Sequence, residues 1–364
     1  MVSFKILAGG FDVFVATYVF NTATSSLTLQ STSPTGPSPS WITRNPFNRS
    51  LLYAVNELDP NGGLQSFAIQ PDGSLSAPID TVSSGGGNPA FVTTLSSGSV
   101  AVMNFFGGNG RIIPTTSKGT KFDASAPIIT FPPPVGGVSH PHMALELGGE
   151  VLVPDLGGDK IWRLKENPIT GAFGIQGFIP QPLGSGPRHI AFFNNRLFTI
   201  HELSSTLSVQ TLPPLPNGTS TTFSSISITP PNPPPGALFA GAEILIPPPT
   251  PRFPTPLIYV SNRNTGVQAP DGEGDSIAIF EHVNQGRPDL GERLVLVKQV
   301  FTGLDQIRGM EFGNVLQGTD EFLVAGGVAG TAGVVILKRT EGGRNLEIVA
   351  RNLDVPTRST FIWL

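Results

Sequence analysis

The chain has 364 residues, with 43 glycines, 36 prolines, no cysteine and a formal net charge of −4. The lack of cysteine removes disulfides, thiol catalysis and thiolate metal sites, and a charged fraction of only 13% with no basic face argues against nucleic acid as a partner. Plentiful Val, Ile, Leu and Phe exclude a disordered chain, no segment reads as a long amphipathic helix, and no apolar run approaches membrane-spanning length.

Met1–Phe20 alternates apolar and polar residues and lacks a basic n-region with a small-residue cleavage site. It reads as strands rather than a signal peptide, so the cytoplasm is the expected location. These residues open the first of seven copies of one unit, an apolar strand ending in a polar residue, a turn and a second strand. The copies are Lys5–Gly9 with Asp12–Val19, Leu51–Asn56 with Leu64–Ile69, Val100–Asn104 with Arg111–Pro114, and Val151–Asp155 with Lys160–Lys165. Leu197–Glu202 with Leu207–Thr211, Leu257–Arg263 with Ser276–His282, and Glu321–Gly326 with Gly333–Lys338 follow. The period of about 46 to 65 residues is that of propeller blades, which cannot bury both faces of a small sheet alone and so stack in a ring.

A short apolar strand, often opened by proline, precedes most hairpins: Pro39–Ile42, Pro89–Val92, Pro141–Ala144, Pro187–Phe192, Ala240–Leu245 and Ile307–Phe312. These are expected to be the innermost strands, since proline suits a first strand position where no ladder donor is needed. The first hairpin has no room for one, and Thr360–Leu364 supplies it. The expected fold is therefore all-β: a single domain over 1–364, a seven-bladed β-propeller with N- and C-terminal strands closing one blade.

Proline-rich loops, Phe131–Gly137, Leu212–Gly218, Pro230–Gly236 and Pro247–Pro256, are expected between blades as stiffened surface loops, with partner recognition as the alternative. Gly266–Gly274 reads as a polar lid within a hairpin. The sequons at Asn48 and Asn217 read as chance in a chain without a signal peptide.

In a blade, the start of the inner strand and the end of the second strand lie on the same face of the ring. Trp41, His140, His142, Arg188, His189, Glu243, Arg308 and Arg358 come from the first set. Asn56, Glu57, Asn104, Asp155, His201, Glu202, Asn262 and Arg263 come from the second. Four of the five histidines and several of the few arginines thus converge on one funnel. Each has a structural alternative: Ser139-His-Pro-His142 as a turn, Arg188 and Arg263 as ion-pair donors, Glu202 as their counter-charge. His140, His142, His201 and Glu202 are also suitable ligands for zinc or iron, although neighbouring arginines would repel a cation. Asp271, Glu273 and Asp275 resemble a calcium loop only weakly, without the later bidentate glutamate. Phe105-Phe106-Gly-Gly-Asn-Gly opens no helix and reads as a turn, and no P-loop or Gly-x-Ser-x-Gly elbow is present.

On Ser139-His-Pro-His142, Gly186-Pro-Arg-His189, His201-Glu202, Tyr259-Val-Ser-Asn-Arg263 and Ile307-Arg-Gly-Met310, the chain resembles the seven-bladed propeller lactonase family. That family includes bacterial 6-phosphogluconolactonases and fungal 3-carboxy-cis,cis-muconate lactonizing enzymes, and the fungal branch looks closest. The resemblance places that branch's His–Arg–Glu–Arg set on His140, Arg188, Glu202 and Arg263 as catalytic residues. His142, His189, His201, Asn262, Arg308, Asn104 and Asp155 are expected to contact substrate.

The activity implied is cycloisomerisation, in which a carboxylate of a carboxylated cis,cis-muconate adds to an alkene to form a lactone in aromatic-compound catabolism. Arginines would hold carboxylates bidentately and stabilise developing charge, and His140 or Glu202 would deliver the proton. The alternative is hydrolysis of a sugar-acid or other small anionic lactone in the same pocket. A non-enzymatic scaffold is the third reading. No cofactor, metal, nucleic acid or membrane is expected, only a small anionic substrate.

Overall fold

A computed structural model describes residues 2–269 and 272–364. Seven four-stranded antiparallel sheets follow one another around a ring. From the channel outward, blade 1 is Arg358–Trp363, Ser3–Gly10, Phe14–Asn21 and Ser26–Pro34. Blade 2 is Ile42–Arg44, Leu51–Asn56, Gly63–Ala68 and Asp80–Ser83; blade 3 is Pro89–Thr94, Val100–Asn104, Asn109–Ile113 and Ile128–Thr130. Blade 4 is Leu145–Leu147, Glu150–Asp155, Lys160–Glu166 and Phe173–Pro180; blade 5 is Pro187–Phe193, Arg196–His201, Thr206–Gln210 and Thr222–Ser227. Blade 6 is Phe239–Leu245, Leu257–Asn264, Ser276–Val283 and Arg293–Phe301; blade 7 is Asp305–Phe312, Phe322–Ala329, Gly333–Thr340 and Asn345–Asn352.

The second and third strands are covered by neighbouring blades on both faces. That is why they read as continuous apolar runs rather than alternating ones; all six residues of Leu51–Asn56 are buried. Apolar clusters fill the interfaces between successive blades. Ile6, Tyr18 and Phe20 pack on Phe322, Val324 and Ile336 across the seam between blades 1 and 7, and Leu7 and Val15 pack on Leu52 and Phe67 on the other side of blade 1. The ring closes as the hairpin count requires: Ile6 pairs with Trp363, Leu7 with Ile362 and Ala8 with Phe361.

Three sequence expectations change. The inner strand of blade 4 is Leu145–Leu147, not Pro141–Ala144, because Asp155 binds the Ser139 hydroxyl and the His140 amide and leaves Pro141 a single bridge. The loops Leu212–Gly218 and Pro247–Pro256 lie inside blades 5 and 6, between their own strands, while Phe131–Gly137 and Pro230–Gly236 do connect blades. The outermost strands were not anticipated. They sit on the rim with exposed polar faces, as in Thr222–Ser227, and carry little apolar signal. Asp271 of the proposed calcium loop and lid lies outside the described residues. Asp275 accepts hydrogen bonds from the amides of Asn264 and Gln306, which makes it an organiser of the turns there. No helix of the described residues is long and apolar enough to cross a membrane.

Candidate active site

In blades 2 to 6 a polar residue at or near the end of the second strand makes the same kind of bond. It reaches back to the segment that links the previous blade's outer strand to its own inner strand. Asn56 Nδ2 donates to Pro37 O at 3.1 Å, Asn104 Nδ2 to Ser84 O at 2.9 Å, and Asn262 Nδ2 to Ile228 O at 2.7 Å. Asp155 accepts from Ser139 Oγ at 2.7 Å and from Trp162 Nε1 at 2.8 Å. His201 Nε2 lies 3.1 Å from Gln181 Oε1, with Thr206 Oγ1 3.3 Å from its Nδ1. Asn104, Asp155, His201 and Asn262, expected to contact substrate, are therefore staples: each places side-chain hydrogen bonds between blades, satisfying groups that are buried there, while Oδ1 of Asn104 and of Asn262 stays buried without a partner among the described residues.

After three of these staples the next residue faces the channel instead, because side chains alternate along an extended chain. Glu57, Phe105 and Glu202 occupy this position and line a cavity of about 220 Å³ with Asn88, Phe106, His142, Arg188 and Arg308. Arg263, after Asn262, stands behind Glu202. The inner strands deliver their side chains through bulges. Arg188 is the extra residue between the pairs Pro187–His201 and His189–Ile200, and Arg308 that between Ile307–Gly327 and Gly309–Gly326. A bulge re-aims one side chain out of the regular alternation. Gly186 lets this turn form: its φ is +63°, and a Cβ there would stand 2.6 Å from Leu203 Cγ.

Arg188 and Arg263 converge on one carboxylate. Arg188 Nη1 donates to Glu202 Oε2, and Arg263 Nη2 lies 2.8 Å from the same oxygen. Burial opposes the charge on Glu202, but the two guanidiniums prevail and hold its carboxyl down to about 2. Burial pulls Arg188 to about 9, still a cation at neutral pH. Arg188 Nη2 and Arg263 Nε are buried donors with no hydrogen-bond partner among the described residues. Arg308 Nη2 stands 3.5 Å from Glu57, whose other oxygen accepts from Ser40 Oγ.

A second set runs inward from the cavity. His142 Nδ1 lies 3.1 Å from His189 Nε2, and His189 Nδ1 lies 2.9 Å from Glu243 Oε1. Trp41 and Phe91 set ring edges against His189 at 5.3 and 5.8 Å. Burial, then the Arg188 charge, holds His142 well below 6.5; burial also lowers His189, against the pull of Glu243. Both rings are thus neutral at pH 7.

His140 is placed differently. Its ring stacks on Phe105 at 4.4 Å, its Nδ1 donates to Phe105 O at 2.8 Å, and it is not among the residues that line the cavity. The metal alternative requires His140, His142, His201 and Glu202 together. His142 and Glu202 share the cavity, but His201 is turned toward Gln181 and His140 toward Phe105, and among the described residues no group of three or more His, Asp and Glu has metal-holding geometry. Phe105, Phe106 and Asn88 were missed as lining residues. The available signal was the place of Phe105 directly after a staple, with Phe106 next to it, and for Asn88 its place before an inner-strand proline.

A family model described as lactonase, seven-bladed β-propeller, matches residues 6–363. The chain belongs to the lactonase family. Among lactonase-family and other relatives, the 6-phosphogluconolactonase of Bacillus subtilis is 24% identical over 336 residues, covering 87% of this chain and 85% of that protein. An uncharacterized protein of Staphylococcus saprophyticus is 26% identical over 321 residues, covering 84% of this chain and 83% of that protein. A putative 6-phosphogluconolactonase of Bacteroides fragilis superposes with a TM-score of 0.78 at 19% identity, over 100% of this lactonase-family chain and 98% of that one. The periplasmic gluconolactonase of Pseudomonas aeruginosa gives a TM-score of 0.79 at 18% identity, over 100% and 99%. At these identities the superpositions describe the propeller fold.

Proposed function

We propose that this protein hydrolyses small anionic lactones. The observation that carries the reading is a neutral histidine, His142, held in one tautomer beside an arginine with an unpartnered donor. Glu243 can only accept, so His189 donates from Nδ1 and its Nε2 must accept the Nδ1 hydrogen of His142. The lone pair of His142 Nε2 is then left for the cavity that His142 lines.

The steps follow from that geometry. Arg188 and Arg308 bind the anion and polarise the lactone carbonyl. His142 Nε2 takes a proton from water, and the water oxygen adds to the acyl carbon. The ring C–O bond then breaks, and the alkoxide recovers the proton from His142, giving a hydroxy acid. A histidine held below 6.5 is a modest base but is unprotonated at neutral pH, and positioning supplies the remainder. Glu202, ionised between two arginines, orients them. Proton transfer is thus assigned to His142 rather than to His140 or Glu202.

The named relatives favour hydrolysis over the cyclisation first expected. Cyclisation of a carboxylated muconate remains the second reading, favoured by three arginines around one cavity, enough for more than one carboxylate. Incubation with glucono- and 6-phosphoglucono-lactones under a pH-stat, and with 3-carboxy-cis,cis-muconate under diene absorbance, separates the two. Acid release with no diene loss is expected. Diene loss without acid release from any lactone would overturn the proposal.

A further inference from the structure

Four exposed apolar side chains are each tied, by sequence or by contact, to a residue that lines the cavity. Phe106 lines the cavity and is 59% exposed, and Leu203, directly after Glu202, is 58% exposed. Leu58 follows Glu57, is 38% exposed, and its carbonyl accepts from the Asn88 amide at 2.7 Å. Phe11, 37% exposed, lies against the Arg308 guanidinium, 5.2 Å from its ring centre. Beside them lies a polar cavity whose charged groups are mostly paired with one another. Glu202 is shared by Arg188 and Arg263, Glu57 is shared by Ser40 and Arg308, and His142 and His189 bond each other. Among the described lining residues the open groups are few: Asn88 Oδ1 and Arg188 Nη2 are buried without a partner, and His142 Nε2 keeps its lone pair.

With the arginine donors given to the anion and the carbonyl and His142 Nε2 to water, a lactone with several hydroxyls would find Asn88 Oδ1 and little else, and would leave the apolar side chains wet. Unmatched polar groups are what a site rejects most strongly, whereas an alkyl or aryl group against Phe and Leu gains by leaving water. We infer that the substrate is amphipathic: a lactone with an anionic group for the arginines and an apolar alkyl or aryl substituent that rests on Phe106, Leu203, Leu58 and Phe11. This inference rests on the lactone-hydrolase reading and names its substrate class.

The test uses the full chain and one series of γ-lactones with a ring carboxylate and hydrogen, butyl or phenyl on the carbon beside the ring oxygen, with gluconolactone as the polyhydroxylated comparison. The expected kcat/KM rises at least about tenfold from hydrogen to phenyl, on the scale of apolar pocket discrimination. The phenyl-to-hydrogen ratio should fall several-fold in Leu203→Ser and in Phe106→Ser, both exposed sites, with an unchanged melting temperature as the check on folding. Equal rates across the series, or gluconolactone as the fastest, would overturn the inference and leave hydrolysis standing. If no lactone releases acid, hydrolysis fails, and calorimetry decides separately: tighter binding of the phenyl than of the hydrogen compound supports the apolar contact, equal binding overturns it. A dimer in sedimentation that Leu203→Ser dissolves would assign these side chains to a second copy of this chain and overturn the inference.

Discussion

His142 Nδ1 and His189 Nε2 face each other at 3.1 Å, and the hydrogen between them belongs to His142 because Glu243 claims the one on His189. Replacing Glu243 by Gln keeps the shape but offers a donor as well as an acceptor, so His189 is free to adopt the other tautomer. We predict that Glu243→Gln lowers kcat roughly ten- to hundredfold with KM nearly unchanged, and that His142→Gln lowers it by about 10²–10⁴. Wild-type turnover in Glu243→Gln at every pH from acid to alkaline would remove the relay.

Glu202 is the counter-charge of two buried cations. Glu202→Gln should leave Arg188 and Arg263 repelling each other out of water and lower stability by about 3–5 kcal/mol, as when one partner of a buried pair is lost. Urea unfolding measures it. A midpoint within error of the wild type would show that solvent already screens the pair.

Acid should destabilise the fold through its neutral histidines. Burial holds His201 at about 4 against an ordinary 6.5. Below pH 6.5 the unfolded chain therefore binds a proton that the folded chain refuses, and stability falls as pH drops from 6.5 toward 4, by up to about 3 kcal/mol for this group. His142 and His189 are lowered in the same direction. His201→Gln should show a shallower fall in urea midpoint across that window. Parallel curves for variant and wild type would contradict the assignment.

The staples should separate stability from catalysis. Asn104→Ala and Asn262→Ala each leave a buried carbonyl, that of Ser84 or Ile228, without its donor. A loss of about 1–3 kcal/mol in stability is expected, with kcat/KM of the folded protein unchanged. A rate loss at unchanged melting temperature would return these residues to the substrate.

The sequence carried the ring well. Apolar runs such as Leu51–Asn56 had to be covered on both faces, and the lone surplus strand at Thr360–Leu364 had one place to go. The convergence of Arg188, Glu202, Arg263, Arg308, His142 and His189 was also legible, since strand ends on one face share a mouth. What could not be read was which of two adjacent residues faces the channel. Asn104 and Phe105, or His201 and Glu202, differ by one step along the strand, and one step reverses the side. Polar character pointed to Asn104, whose amide was needed to satisfy chain, while the apolar Phe105 reached the cavity. The bulges at Arg188 and Arg308 leave no compositional trace either.

Blade 1 is assembled from opposite ends of the polypeptide, with Leu7 against Ile362. During synthesis the other blades fold from contacts close along the chain, while Ser3–Gly10 waits with an open backbone edge until Arg358–Trp363 emerges. Such distant closure carries the entropy of the longest loop and belongs late in folding, when an unpaired edge is exposed to other chains. Pulsed hydrogen exchange during refolding should find the amides of Leu7 and Ala8 protected after those of Tyr53 and Val102, and earlier protection would mean that the seam nucleates the ring. The same noncovalent latch makes the propeller a band whose circumference is decided only at its last strand, so its vulnerability to aggregation is a matter of time rather than of equilibrium.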